Sequence, residues 1–284
     1  MTALPAVRGV SSFLPLVIHA PHAGTHVPSI VREALPDPAR FQAEMNRLTD
    51  WHTADLFYLP GAALCATPVS RLVLDLERYT DDSLEPRAAV GQGVIYTHDS
   101  NGQRLRPNPS PEQRRLWLDD WYRPWHLKLE LDVLGCLQRH RACLLVDAHS
   151  FPARPLANED DAGRARPDIC LGTGANTPAW LVDYALGWCA RHGLSVAVDF
   201  PYAGCLVPQV YAADSRVAAI MVEVNRSLYL QQPDTSLEPG MGADYFRVKA
   251  MLNELLLGMA GRLLDTGVPL NQPATPVALA AEAI

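Results

Sequence analysis

The 284-residue chain is 48% apolar and 19% charged, an ordinary balance for a globular protein with a sizeable core. A formal charge of −7, a pI near 5.7 and the lack of any Lys/Arg cluster exclude a nucleic-acid footprint. No apolar run approaches the roughly 20 residues needed to cross a bilayer, and Met1 to Ser12 carries no apolar secretory segment, so a cytoplasmic protein without membrane partners is expected.

The first predicted strand, Leu14 to Ile18, runs into His19-Ala20-Pro21-His22-Ala23-Gly24-Thr25-His26-Val27-Pro28. Pro21, Gly24 and Pro28 argue against a helix, so these histidines belong to a loop at a strand end. Three imidazoles within eight residues exceed what packing requires. A metal-ligand role is expected for at least one, His22 first, because proline and small residues flank it. Ser29 is placed to cap a short helix, and Asp37-Pro38 opens another with Phe41, Met45 and Leu48 at helical spacing. Thr49 or Asp50 can cap the next helix. Asp50 and His52 can equally supply a carboxylate or an imidazole to an ion, and spacing alone leaves that choice open.

Val69 to Arg78 alternates as a strand does, with Arg71, Asp75 and Glu77 on one face. Arginines at both ends of a short apolar run suggest a fork for a carboxylate. Gly91 to Pro111 is rich in turn residues and long for a connection, as lids and substrate walls are. Ser110-Pro111-Glu112-Gln113 starts a helix with a cap, a first-turn proline and a glutamine three residues on. Trp117, Trp121, Trp125, Leu129, Val133 and Leu137 form its core stripe, and Pro124 should kink or break it.

Ala142-Cys143-Leu144-Leu145-Val146 is a strand buried on both faces that ends in Asp147, His149 and Ser150. Leu16 to His22 and Ile220 to Arg226 repeat the pattern of an apolar run ending in polar groups. In open α/β sheets ligands gather beyond the carboxyl ends of strands, so these residues are expected to face a site. Glu223 lies within the third run, where an acid must be paired, metal-bound or raised in pKa.

Phe151 to Pro167 reads as a flexible active-site loop, and Asp168 to Thr173 as a short strand. A helix follows from Asn176 or Thr177 with Pro178 to about Arg191, closed by His192-Gly193, and Leu194 to Val198 is a further strand. The turn Pro201-Tyr202-Ala203-Gly204 either brings Tyr202 to the site or packs it. A last apolar helix covers about Asp244 to Leu264, and the Ala/Pro-rich tail from Val268 to Ile284 is expected to fray. Alternating strands and helices give a single α/β domain over 1–284 with a mixed, mostly parallel sheet flanked by helices. Neither GxGxxG nor GxxxxGK[ST] occurs, which argues against nucleotide use. The six cysteines form no CxxC pair and read as buried free thiols.

Taken together, Pro21-His22-Ala23-Gly24, Thr49-Asp50-Trp51-His52, Ser70-Arg71 with Asp75-Leu76-Glu77-Arg78, Asp147-Ala148-His149-Ser150, Leu171-Gly172-Thr173 and Glu223-Val224-Asn225-Arg226 resemble the N-formylglutamate amidohydrolases, which are similar in fold to zinc carboxypeptidases. The resemblance spans about Leu16 to Leu230, in the family's order. It implies Zn2+ or another divalent ion on His22, His149 and Asp50, with Glu223 as general base and Arg71 assisting. Substrate binding falls to Arg78, with Asn225, Arg226 and Tyr202 as further candidates. The implied substrate is a small carboxylated molecule, N-formyl-L-glutamate foremost. Alternatives are another N-acyl amino acid or small peptide, or a member that binds a carboxylate without hydrolysing it. The chain departs from the family in having Glu77 where Asp-Leu-Asn-Arg is usual, and in lacking an arginine shortly after Pro201-Tyr202. Oligomeric state is not legible in the sequence.

Overall fold

Six strands form one sheet in the computed structural model, which describes residues 12–161, 163–212, 214–232 and 238–265. The tail expected to fray from Val268 and the amino-terminal residues before Ser12 lie outside the described residues. The strands are β1 (Leu16–Ala20), β2 (Ala63–Ala66), β3 (Cys143–Phe151), β4 (Ile169–Gly172), β5 (Val196–Val198) and β6 (Val217–Asn225), in spatial order β2-β1-β3-β6-β4-β5. Neighbours run parallel except β4 against β6, which gives the mixed, mostly parallel sheet that alternating elements predict. Sequence inspection gave no sign of β2, a four-residue strand with only Leu64 among small side chains.

Helices α1 (Ser29–Arg32), α2 (Pro38–Leu48) and α3 (Thr53–Leu56) follow β1, α4 (Pro111–Trp117) and α5 (Arg123–His140) precede β3, and α6 (Ala179–Arg191) and α7 (Tyr245–Asp265) complete the layers. Their starts obey local chemistry. The Asp37 carboxylate accepts from Arg40 N ahead of α2, and Ser110 and Gln113 form a reciprocal capping box at α4. Pro124 lacks an N–H and its ring crowds the preceding turn, and α4 is separated from α5 by one π-turn over Leu118–Tyr122. None of the described helices is long and apolar enough to cross a membrane.

Strand alternation divides the sheet between two cores. Ile18, Val146, Ala148, Ile220 and Val222 point to one side, against α6 and α7, where Trp188, Leu252, Leu256 and Met259 are buried. Val17, Cys143, Leu145 and Ala219 point to the other, against Trp125, Leu129, Val133 and Cys136 of α5. Continuing along this second face toward the strand ends, the same alternation presents His19, then Asp147 and His149, then Glu223. The register pairs His19 with Asp147 and His149 with Glu223 across neighbouring strands, so one face is apolar under α5 and carries titratable side chains beyond it.

The expected strand over Val69 to Arg78 does not form. Val69 makes a single bridge to His26, and turns follow. The reason is a buried guanidinium: Arg106 donates from Nη2 to the Leu72 and Val73 carbonyls at 2.6 and 3.0 Å and from Nε to Tyr96 O at 2.8 Å, giving these carbonyls the partners a neighbouring strand would have offered. All six cysteines are free, five buried and Cys205 half-buried.

Candidate active site

The loop after β1 carries His22 over the sheet end, and its path depends on Gly24. A Cβ there would stand 2.5 Å from Pro68 C and 2.6 Å from Thr67 O, so only glycine lets the two backbones approach. His22 Nε2 lies 2.9 Å from Asp75 Oδ1. Burial pushes the Asp75 carboxyl upward, but His22, Arg71 and Arg78 outweigh it and hold it well below the usual range, so it is an acceptor and the ring nitrogen donates. His22 Nδ1 is left buried with no hydrogen-bond partner among the described residues.

His149 sits between carboxylates. Its Nδ1 is 3.1 Å from Asp50 Oδ2, and its Nε2 is 3.1 Å from Asp147 Oδ1 and 3.2 Å from Glu77 Oε1. Burial opposes charge on this ring, yet Glu77, Asp147 and the Asp50 bond raise it well above its ordinary pKa. Asp50 Oδ2 is also 3.8 Å from His22 Nδ1, while its Oδ1 accepts from Arg226 Nη2 at 2.9 Å. Burial works against its ionisation too, and His149, Arg226 and His22 together overcome it and lower its pKa. The side chain is therefore turned to the two imidazoles rather than capping α3. Glu223 Oε2 is buried without a partner. Burial first, with Asp50 and Glu77 adding to it against His149 and Arg226, raises the Glu223 carboxyl to about 8.

Two groups bring ligand atoms within 4.8 Å of one another: His22, Glu77 and His149, and His19, Glu77 and Asp147. Hydrogen bonding closes the second. Trp125 Nε1, a donor only, points at His19 Nε2 at 3.2 Å, so the proton of His19 is on Nδ1, where it meets Asp147 Oδ1 at 2.8 Å. Neither nitrogen of His19 is open. Asp147 is thereby fixed by His19, His149 and the Leu206 N–H. Around His22 and His149 the donor chemistry fits a divalent cation: two imidazoles, the Asp50 and Glu77 carboxylates, an orphaned ring nitrogen, and a buried acid on the Nε2 side of each ring, as metal-binding histidines commonly have.

These residues line a cleft of about 330 Å³, a volume suited to a small molecule. Arg71 and Arg78 both reach its wall. Arg71 Nη2 donates to Asp75 Oδ2 at 2.9 Å, while the Nε of each arginine is buried without a hydrogen-bond partner, that of Arg78 lying 3.7 Å from Asp75 Oδ2. Tyr202 lines the cleft, with its hydroxyl on Glu159. Arg226 also lines it, but its Nε, Nη1 and Nη2 donate to Ser150, Arg47 and Asp50 inside the protein. Asn225 is turned away from the cleft, its side chain joined to Pro167 O, Ser227 N and Ser227 Oγ.

His52 lines no part of the cleft and packs against Trp51 and Tyr245. His26 lies in the bridge to Val69. The loop expected over Phe151 to Pro167 does wall the cleft through Pro152, Leu156, Asn158 and Glu159, and Arg166 ties it down through Glu159, Asp161 and Pro152 O. The wall expected within Gly91 to Pro111 is made by Gln92 and Tyr96. Sequence reading missed Arg47, Arg87 and Gln92, for which no local pattern exists, and gave no ligand role to Glu77, whose acidic departure from the family motif was the available signal.

A profile of the N-formylglutamate amidohydrolase family matches residues 14–230. The N-formylglutamate deformylase of Pseudomonas putida is 31% identical over 233 residues, covering 78% of this chain and 84% of that protein. The enzyme of the same name from Pseudomonas aeruginosa is 28% identical over 228 residues, covering 77% and 83%. A crystal structure of N-formylglutamate amidohydrolase from Ralstonia eutropha superposes with a TM-score of 0.76 at 21% identity, covering 92% of this chain and 98% of that one, and so shares its fold. With its motifs in order and most of its length matched, the chain belongs to the N-formylglutamate amidohydrolase family.

Proposed function

We propose that the protein hydrolyses the formyl amide of N-formyl-L-glutamate, releasing formate and L-glutamate, and that a divalent ion assists. The observation that carries this reading is the unpartnered Glu223 Oε2 in the same cleft as His22, Asp50, His149 and the arginine pair. His22 and His149 would hold the ion through Nδ1, because Asp75 and Asp147 engage the opposite nitrogens, and Asp50 Oδ2, which faces both Nδ1 atoms, would be the third ligand. When bound, such an ion supplies Lewis acidity, acidifying water and polarising the acyl oxygen.

The chain's own groups account for the remaining steps. Arg78 grips a substrate carboxylate through its fork, which holds the formyl carbon in reach of water. Glu223 takes a proton from that water as it attacks, then delivers it to the departing amine; a carboxyl shifted toward neutrality suits both duties. Arg71, whose Nε has no hydrogen-bond partner, stabilises the oxyanion that develops on the formyl oxygen, a contribution of roughly 3–4 kcal/mol for a well-placed donor. Arg226 and Asp147 act by position, the first on Asp50 and the second on His149.

The test is formate release from N-formyl-L-glutamate by the Zn2+-supplemented protein, with metal analysis and chelator treatment alongside. Turnover that stops on chelation and returns with Zn2+ supports the reading. Full activity of a metal-free protein removes the ion from it, and absence of formate removes the reaction.

A further inference from the structure

Five arginines line the cleft: Arg47, Arg71, Arg78, Arg87 and Arg226. Four have an acid within reach: Arg47 on Glu44 at 2.6 Å, Arg71 on Asp75 at 2.9 Å, Arg226 on Asp50 at 2.9 Å, and Arg78 beside Asp75 at 3.7 Å. Arg87 differs. Its Nη2 donates to Gln92 Oε1 at 2.5 Å and its Nη1 to the Asn158 carbonyl at 3.2 Å, both neutral, and among the described residues no carboxylate lies within 4.0 Å of its guanidinium, the Glu85 carboxylate being taken up by the Arg87 backbone N–H. A guanidinium on a cleft wall without an anion leaves its charge to whatever enters.

Gln92 adds an uncharged donor at the same place. Its Oε1 receives both Arg87 Nη2 and, at 2.8 Å, Asn158 Nδ2, which fixes the orientation of the amide. The Nε2 group is then directed away from both, and it is buried with no partner in a residue only 3% exposed. A buried donor without an acceptor is costly unless a ligand supplies one.

Glu85 sets the spacing to the other arginine arm. Its Oε1 accepts from Arg87 N at 2.9 Å and lies 3.9 Å from Arg78 Nη1, while Oε2 accepts from Tyr79 N at 3.2 Å, so one carboxylate joins the turn bearing Arg78 to the 3-10 turn Pro86–Val90 bearing Arg87.

We infer that Arg87 and Gln92, braced by Asn158, form a second carboxylate subsite that makes the cleft selective for dicarboxylic over monocarboxylic acyl amino acids. The inference rests on the proposed reading of the cleft as an N-acyl amino acid site and deepens it: Arg78 takes one carboxylate and Arg87 with Gln92 takes the other. A purely structural Arg87, tying Asn158 to the wall, would affect every ligand alike. A subsite affects only ligands with a second negative end.

Calorimetric binding to the full-length, Zn2+-supplemented protein tests this without turnover, using glutarate, a five-carbon dicarboxylate, and butyrate, the same chain with one carboxylate replaced by hydrogen. Wild type should prefer glutarate by about 10- to 100-fold, the range for charge-assisted hydrogen bonds to one carboxylate. Arg87→Gln should bring the ratio near unity with butyrate affinity unchanged. Arg87→Lys, which keeps the charge without the planar fork, guards against misfolding and should fall between the two. Equal weakening of both acids by Arg87→Gln, a ratio unchanged in it, or no glutarate preference in wild type overturns the proposal. Glutarate preference without formate release leaves the subsite standing and the hydrolytic reading lost; formate release with an unchanged ratio does the opposite.

Discussion

Asp75 Oδ1 lies 2.9 Å from His22 Nε2, and this contact decides which nitrogen of the ring is left for chemistry. Asp75 is fully buried and also accepts from Arg71 Nη2, the Tyr96 hydroxyl and Glu77 N, so it is the hub on which one proposed metal ligand and the arginine proposed for the oxyanion both hang. Replacing it with a neutral amide removes charge from all of them at once. Asp75→Asn is expected to weaken Zn2+ binding by about 10- to 100-fold, as for other partners behind a ligating histidine. It should also destabilise the fold by roughly 3–5 kcal/mol, the cost of leaving a buried charge unpaired. Competitive chelator titration and urea unfolding read the two effects separately.

Asp50 and Glu77 compete for the role of third ligand. Asp50 faces the Nδ1 atoms of both histidines, whereas Glu77 approaches both Nε2 atoms, at 3.5 Å from His22 and 3.2 Å from His149. Because Asp75 and Asp147 engage those Nε2 atoms, the ion is expected on the Asp50 side. Metal content after dialysis should therefore collapse in Asp50→Asn and persist in Glu77→Gln. The reverse ranking would transfer the ligand role to Glu77.

Glu223 holds its carboxyl over the cleft without belonging to the proposed ligand set. Glu223→Gln is expected to lower kcat by about 10²- to 10⁴-fold, the usual worth of a general acid-base group, while the bound metal stays at the wild-type level. Stopped formate assays and elemental analysis on one preparation check both halves. A variant turning over at the wild-type rate would leave no base in this mechanism.

His126 supplies a pH dependence of stability away from the ligands. Its ring stacks on Tyr122 with centroids 4.2 Å apart and donates from Nε2 to the Leu76 carbonyl at 2.9 Å. Burial is the first cause that lowers its pKa from 6.5 to about 4. Between those values the unfolded chain binds the extra proton and the folded chain does not, so this contribution is complete above about pH 6.5 and disappears as pH falls toward 4. The term amounts to about 2 kcal/mol between pH 7 and pH 5. Urea midpoints of wild type and His126→Gln at those two pH values should show a shallower acid loss in the variant.

Much of the fold was legible because its causes are local. The reciprocal Ser110 and Gln113 cap, the tryptophan stripe interrupted ahead of Pro124, and the uniformly buried β3 all follow from neighbours within a few residues. The strand expected from Val69 to Arg78 failed for a non-local reason. Alternation there records Arg71 and Glu77 turning into a cleft, and Arg106, 34 residues beyond Leu72, takes the carbonyls a strand partner would need. Arg87 and Gln92 left no periodic trace, since what singles them out among the described residues is a guanidinium with no carboxylate beside it and a buried amide donor with no acceptor.

The sequence by itself determined that polar groups end three apolar strands, and so that His22, His149 and Glu223 would gather beyond the carboxyl ends of those strands, because strand alternation follows from short-range patterning and ligands collect at that end of an open α/β sheet. Only the tertiary structure decided which acid meets which ring nitrogen. Asp75 reaches His22 across 53 residues and Asp50 reaches His149 across 99, and contacts at that separation depend on how distant loops pack, which no local pattern encodes.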